Sequence, residues 1–288
     1  MIKMIQPNLT RRQMLVATGG ALALAACGAD NSPKSTTKYS VVQRFPNEPL
    51  FTPGAARLPV SLASGGTLGD GPETLNGWIE DFNGEHITEI TVKRRASGIA
   101  IPYWDVRATL PKAGVYTMRF DVDDGFGATF QVVDESDVAT PLTGAKLPPF
   151  DTPTVDNHRG VEPYCSLTPA PCPLHDATLT DALASAATNS TPLIYMVGTP
   201  AHCQTGTCAP GLEFLVAEHA RVGDQVAMVH ADVYADDAAT TIAPAIIALN
   251  VQYEPIVYLC SSDGVIVDRL DGIWDASELR ERIDLLIS

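Results

Sequence analysis

Residues 192–223 read PLIYMVGTPAHCQTGTCAPGLEFLVAEHARVG. The first seven, PLIYMVG, have the length and composition of a buried strand. The last fourteen, PGLEFLVAEHARVG, open with a proline at a first-turn position and close at Gly223. Their Leu212, Leu215, Val216, His219 and Val222 share one helical face. Cys203 and Cys208 stand between strand and helix. In a continuous helix their Cα atoms would be about 8 Å or more apart, whereas a disulfide needs less than about 7 Å. If the two bond, QTGT must loop back, and Gly206 is the residue suited to the turn.

The flanking sequence extends this pattern. DATLTDALASAA (176–187) has helical spacing behind a Thr178-x-x-Asp181 start. DQVAMVHADVY is a second buried strand. DAATTIAPAIIALN reads as a helix kinked or restarted at Pro244. PIVYLCSSDGVIVDRLDG reads as a hairpin, and WDASELRERIDLLIS as a terminal amphipathic helix.

The α-β-α-β-α-β-β-α order, with a cysteine pair where the first strand meets the next helix, resembles the thioredoxin superfamily over about residues 160–288. The resemblance implies an α/β thioredoxin-like domain, a redox role for Cys203 and Cys208, a cis-proline at Pro255 lining a groove, and thiolate tuning by His202. The chain departs from the family pattern in three ways. The motif is C-x4-C, His202 replaces the tryptophan before the first cysteine, and Val197 replaces the buried acid. Either Cys203 or Cys208 can be the attacking sulfur. A weaker resemblance links the loop to Sco-type copper chaperones, but LNVQYEP lacks the histidine those proteins carry there.

The N-terminal half alternates with a period of two. LPVSL, WDVRATL, VYTMRFDV and ATFQV each place apolar residues on one face, and DDGFG between the last two reads as a hairpin turn. These segments are expected to form an all-β, Ig-like sandwich over 41–136. His86, Trp78 and Trp104 read there as packing or surface residues. DVATPLTGAKLPPFDTPTVDNHRG (137–160) reads as a stiff, Pro-rich linker, and 161–288 as the thioredoxin-like domain.

Residues 1–27 read MIKMIQPNLTRRQMLVATGGALALAAC. The apolar part is too short for a good membrane span. LAAC resembles the lipobox of bacterial lipoproteins, which implies a lipoprotein signal peptide and lipidation at Cys27. TRRQML resembles a twin-arginine export signal. Residues 28–40 read as a flexible tether. The expected location is extracytoplasmic, lipid-anchored to the cell membrane. The formal charge of −15 argues against nucleic acid as a partner.

In an exported protein cysteines tend to pair. Cys165 and Cys172, in CSLTPAPCPLH, are expected to form a structural disulfide, because a zinc-like set would need a fourth ligand that the sequence does not offer beside His175. Cys260 follows an apolar run and reads as an inert core thiol. No metal site and no cofactor are expected. The functional expectation is a membrane-anchored thiol–disulfide oxidoreductase. Its partners would be protein thiols or disulfides and an electron-transfer partner. The alternatives are a non-catalytic scaffold lipoprotein with a redox-inert fold, or a copper-handling protein.

Overall fold

The structure, a computed structural model, describes residues 38–69 and 71–288. The expected signal peptide, Cys27 and most of the expected tether lie outside the described residues. No described helix is long and apolar enough to cross a membrane.

Eight strands form the first sheet: β1 (Ser40–Gln43), β2 (Gly54–Ser64), β3 (Thr67–Gly69), β4 (Thr74–Asp81), β5 (His86–Arg95), β6 (Tyr103–Leu110), β7 (Gly114–Phe120) and β8 (Ala128–Val132). Their order is β1-β2-β6-β5-β4-β7-β8, with β3 on β2, and every pairing is antiparallel. The sheet curls until its ends nearly meet. Tyr39 bridges Asp123 and Phe51 bridges Val132, so the sheet is almost closed and barrel-like. Alternation decides what fills it. Leu58, Val60, Leu62, Ile79, Trp104, Met118 and Phe130 are buried inside. Phe51 packs edge-on against Phe45 and Phe130, with ring centroids at 5.1 and 5.9 Å. Gly77 lets β4 lie against β7, because a Cβ there would fall 1.9 Å from the Arg119 carbonyl oxygen.

The second sheet has four strands in the order β10-β9-β11-β12: β9 (Leu193–Val197), β10 (Ala227–Ala231), β11 (Ile256–Cys260) and β12 (Ile266–Asp271). β10 runs parallel to β9, and β11 runs antiparallel to both β9 and β12. β9 and β11 are buried throughout, as strands covered on both faces must be. The helices α1 (Leu179–Asn189) and α3 (Pro244–Ala248) share one apolar cluster with this sheet. The helices α2 (Cys208–Val222) and α4 (Ala276–Ile287) share another. Thr178 Oγ1 accepts from the Asp181 amide at 3.0 Å and starts α1.

The expected class, an α/β thioredoxin-like domain behind an Ig-like sandwich, does not describe this molecule. The chain is mostly β with few helices. Two findings overturn the expectation. First, β4 and β5 join what would have been two facing sheets. Thr88–Lys93 of β5 pair with β4, while Arg94 and Arg95 pair with β6. One long strand therefore makes the sheet continuous. Second, the helix expected over DAATTIAPAIIALN shrinks to five residues. Asp236 accepts from the backbone of Ala238 and Thr240 at 3.0 Å each, a local turn that competes with helix. Pro244 then permits helix only from its own position onward.

The two sheets meet through a buried polar knot. Arg57, on the outer face of β2, donates to both carboxylate oxygens of Glu278 in α4, at 2.7 and 2.6 Å, and to the Ile273 carbonyl at 2.6 Å. Tyr103 donates to the same carboxylate, and Arg107 lies 3.0 Å from it. Burial alone would raise the Glu278 carboxyl; Arg57, with these hydrogen bonds, holds it well below the usual carboxylate range. Residues 137–160 run beside β12, where Gly144 donates to Ile266 O at 2.8 Å and Leu147 to Gly264 O at 2.9 Å.

Candidate functional site

β9 ends at Val197, and the chain then turns through Gly198 and the loop 199–207 into α2. Gly206 takes φ +66°, and its amide donates to Cys203 O at 3.2 Å. That turn brings the Cα atoms of Cys203 and Cys208 to 5.9 Å, and the two sulfurs are bonded. Cys208 is the first residue of α2 and fully buried, while Cys203 is half-buried on the loop. The Cys208 amide donates to Cys203 Sγ at 3.3 Å, and Thr205 Oγ1 lies 3.2 Å from the same sulfur. A helix N-terminus and its free amides favour negative charge, so Cys203 is the sulfur whose thiolate is supported.

Cys208 faces a different partner. Its Sγ lies 3.5 Å from Glu254 Oε2, which also accepts from the Thr199 amide at 2.5 Å. Burial lifts the Glu254 carboxyl above its ordinary value, and the Thr199 hydrogen bond partly opposes this. Glu254 is joined to Pro255 by a cis peptide. Gly198 is the residue around which these parts close. A Cβ there would sit 3.3 Å from Pro255 Cβ and 3.5 Å from Cys208 Cβ. His202 packs edge-on against Tyr234, with centroids at 6.0 Å. Its Nε2 is buried and has no hydrogen-bond partner among the described residues. Beside Cys203 opens a groove of about 590 Å³, lined among others by Val233, Tyr234, Ile246, Ile247 and Tyr253. Ile247 is 69% exposed.

A second group lies on the other side of Gly198. Cys165 and Cys172, expected as a disulfide, stand as two free, buried thiols. His175 and His230 complete a four-residue set whose ligand atoms all lie within 4.8 Å of one another. His230 sits on β10, at the edge of the sheet, and every member of the set is buried. The hydrogen bond between the two thiols pulls Cys165 well below the ordinary thiol value and holds Cys172 above it. Cys260 is buried in β11, and burial pushes its thiol up to about 12.

The sequence pointed to Cys203, Cys208 and Pro255, and the structure brings these three together. It did not point to Glu254, whose one sequence signal is its place directly before Pro255. It also did not join His230 to Cys165, Cys172 and His175, which lie 55 or more positions away in sequence. No family model matches the chain, and no curated protein matches its sequence.

Proposed function

We propose that this protein is a thiol–disulfide oxidoreductase, working outside the cytoplasm and anchored to the membrane by lipid at Cys27, and that Cys203 and Cys208 are its redox pair. The observation that carries this reading is the asymmetry of the pair. A half-buried sulfur under a helix N-terminus opens on a groove of mixed polar and apolar lining, and its bonded partner lies buried against a carboxyl group. Exchange needs an accessible sulfur with a supported thiolate, a second sulfur in reach and a group to handle the second proton. A groove lined by both apolar side chains (Ile246, Ile247, Tyr253) and hydrogen-bonding ones (Asn250, Gln252) suits an extended polypeptide, so the substrates are protein disulfides or dithiols. The anchor and the location rest on the LAAC sequence alone.

In the reducing direction, the Cys203 thiolate attacks one sulfur of a partner disulfide. That S–S bond breaks, a Cys203–partner bond forms, and the other partner sulfur leaves as a thiolate that takes a proton from solvent. The Glu254 carboxylate takes the proton of Cys208. The Cys208 sulfur then attacks Cys203 Sγ, the second partner sulfur leaves, and two electrons have passed to the partner. In the oxidising direction the same steps run backward, with Glu254 returning the proton to Cys208 as it leaves. Cys203 is assigned as attacker because it is the less buried sulfur.

The test is turnover of a model protein disulfide by the full chain, with its single-cysteine variants. Wild type is expected to turn over, Cys208→Ser to accumulate a mixed disulfide through Cys203, and Cys203→Ser to trap nothing. If wild type neither reduces nor oxidises the substrate, and neither variant traps a partner, the scaffold reading replaces this one.

A further inference from the structure

The set Cys165, Cys172, His175 and His230 takes no part in the exchange chemistry, and four features of it point to a ligand. The first is spacing. A tetrahedral zinc ion with bonds of about 2.0–2.3 Å has donor–donor edges of roughly 3.3–3.8 Å. His230 Nδ1 lies 3.2 Å from His175 Nε2, 3.7 Å from Cys172 Sγ and 3.9 Å from Cys165 Sγ.

The second feature is where the imidazole protons must be. His175 Nδ1 lies 3.2 Å from the Pro153 carbonyl oxygen, and His230 Nε2 lies 2.8 Å from the Gly198 carbonyl oxygen. A carbonyl only accepts, so each ring carries its proton on that outward nitrogen. In the neutral rings that zinc requires, the inward nitrogens, His175 Nε2 and His230 Nδ1, then present lone pairs to each other across 3.2 Å. Two lone pairs at that distance repel, and a cation between them turns the repulsion into two bonds. An outward N–H held by a carbonyl is also the arrangement that orients histidine ligands on a metal. Asp232 Oδ1, 3.5 Å from His230 Nε2, adds a carboxylate to that outer layer, and its other oxygen is held by the Ser166 amide at 2.7 Å.

The third feature is charge. Zinc binding expels the two thiol protons, and two thiolates cancel the charge of the ion. A buried centre with no net charge avoids the cost of an isolated charge in the interior. The fourth is closure: all four residues are buried, with four ligands and no open position, as in structural zinc sites.

We propose that Cys165, Cys172, His175 and His230 form a closed, tetrahedral zinc site. Thiolate and imidazole donors in a tetrahedron select zinc over the oxygen-seeking divalent cations. The site ties the segment 153–175 to the edge strand β10. Through the Gly198 carbonyl it also braces the residue on which Cys208 and Pro255 pack.

The experiment uses the full chain, purified without chelator and equilibrated with Zn²⁺, then with Co²⁺ as the spectroscopic probe. One zinc ion per chain is expected by elemental analysis. The cobalt form should show thiolate charge-transfer and the intense d–d bands of a tetrahedral site. Cys172→Ser and His230→Ala should lose the ion, whereas the Cys203→Ser/Cys208→Ser double variant should hold it as wild type does. Should the first two variants fail to fold, alkylation of the native wild type decides. Cys165 and Cys172 should resist the reagent until a strong chelator is added, then react together. A Cys165–Cys172 disulfide in native wild type overturns the proposal. So does a chain that takes up no zinc, or one that takes up Cu⁺ but not Zn²⁺.

Discussion

The molecule carries two cysteine pairs beside its second sheet, and they are built for opposite chemistry. Cys203 and Cys208 are separated by four residues, Cys165 and Cys172 by six. The first pair is bonded and lies at a groove, with one sulfur half-buried. The second is unbonded, buried, and faces two imidazoles. Spacing does not separate them. What separates them is the company of each sulfur. Cys203 has a helix-terminal amide and an open groove, while Cys165 and Cys172 are buried beside the imidazole nitrogens of His175 and His230. One residue, Gly198, stands between the two sites: its carbonyl accepts from His230, and a Cβ added to it would meet Cys208 and Pro255.

The sharpest way to break the comparison is to remove one sulfur from each pair. Cys203→Ser is expected to drop thiol–disulfide turnover to background. Cys165→Ser should leave exchange at 203/208 measurable at a temperature where the fold survives. If the two variants lose activity equally, the pairs are not distinct in function.

A control on stability comes next in size. Glu278 belongs to the Arg57 knot and bonds to neither cysteine pair, and its side chain is fully buried. Removing one partner of a buried ion pair costs about 3–5 kcal/mol. Glu278→Ala is therefore expected to lower the melting temperature strongly by calorimetry. Below that temperature the exchange rate should be unchanged. A rate that falls with the same variant would mean that the sites depend on how the two sheets dock.

Glu254 separates the pairs by proton handling. Glu254→Gln should slow the resolving step by about 10²-fold, the ordinary contribution of a positioned general base, and remove the acid limb of the pH–rate profile. Its effect on stability has the opposite sign. Burial raises the folded carboxyl above its unfolded value of about 4.3. The wild-type group therefore contributes its full stability below that pH and loses it as pH rises through the folded value. Measured by denaturant titration, the glutamine variant should gain on wild type as pH rises across that window and level off above it.

The smallest change probes the residue shared by both sites. Gly198→Ala places a methyl group 3.3 Å from Pro255 Cβ and from Met196 Cε, and overpacking of this kind costs about 1–3 kcal/mol. It should perturb both sites, shifting the turnover number and the zinc affinity in one variant. A change in only one of them would show that Gly198 does not couple the sites.

Much of this was legible in the sequence where the pattern is local. The period of two in Leu58, Val60 and Leu62, or in Tyr116, Met118 and Phe120, marks strands the structure contains. The turn at Gly206 follows from the reach of a disulfide alone. The class did not follow. β5 mixes Thr, Glu, Lys and Arg with a few Ile and Val, so its alternation is weak. Yet it is the strand whose pairing with both β4 and β6 makes the first sheet continuous. The short α3 shows Asp236 and Pro244 outcompeting an apolar helical pattern. Glu254 and His230 were hidden for a simpler reason. Each meets its cysteine partner across 46 or more positions of sequence, and no spacing rule reaches that far.

The most direct single measurement follows all five cysteines of the described chain at once. The full protein, loaded with zinc, is equilibrated in a graded series of glutathione buffers, alkylated and mapped by mass spectrometry. Cys203 and Cys208 are expected to pass together from disulfide to dithiol at a potential above about −300 mV, the range of exchanging rather than structural bonds, while Cys165 and Cys172 stay unbonded throughout. A 203–208 bond that persists across the whole series, or a 165–172 bond that forms and breaks alongside it, would contradict the account.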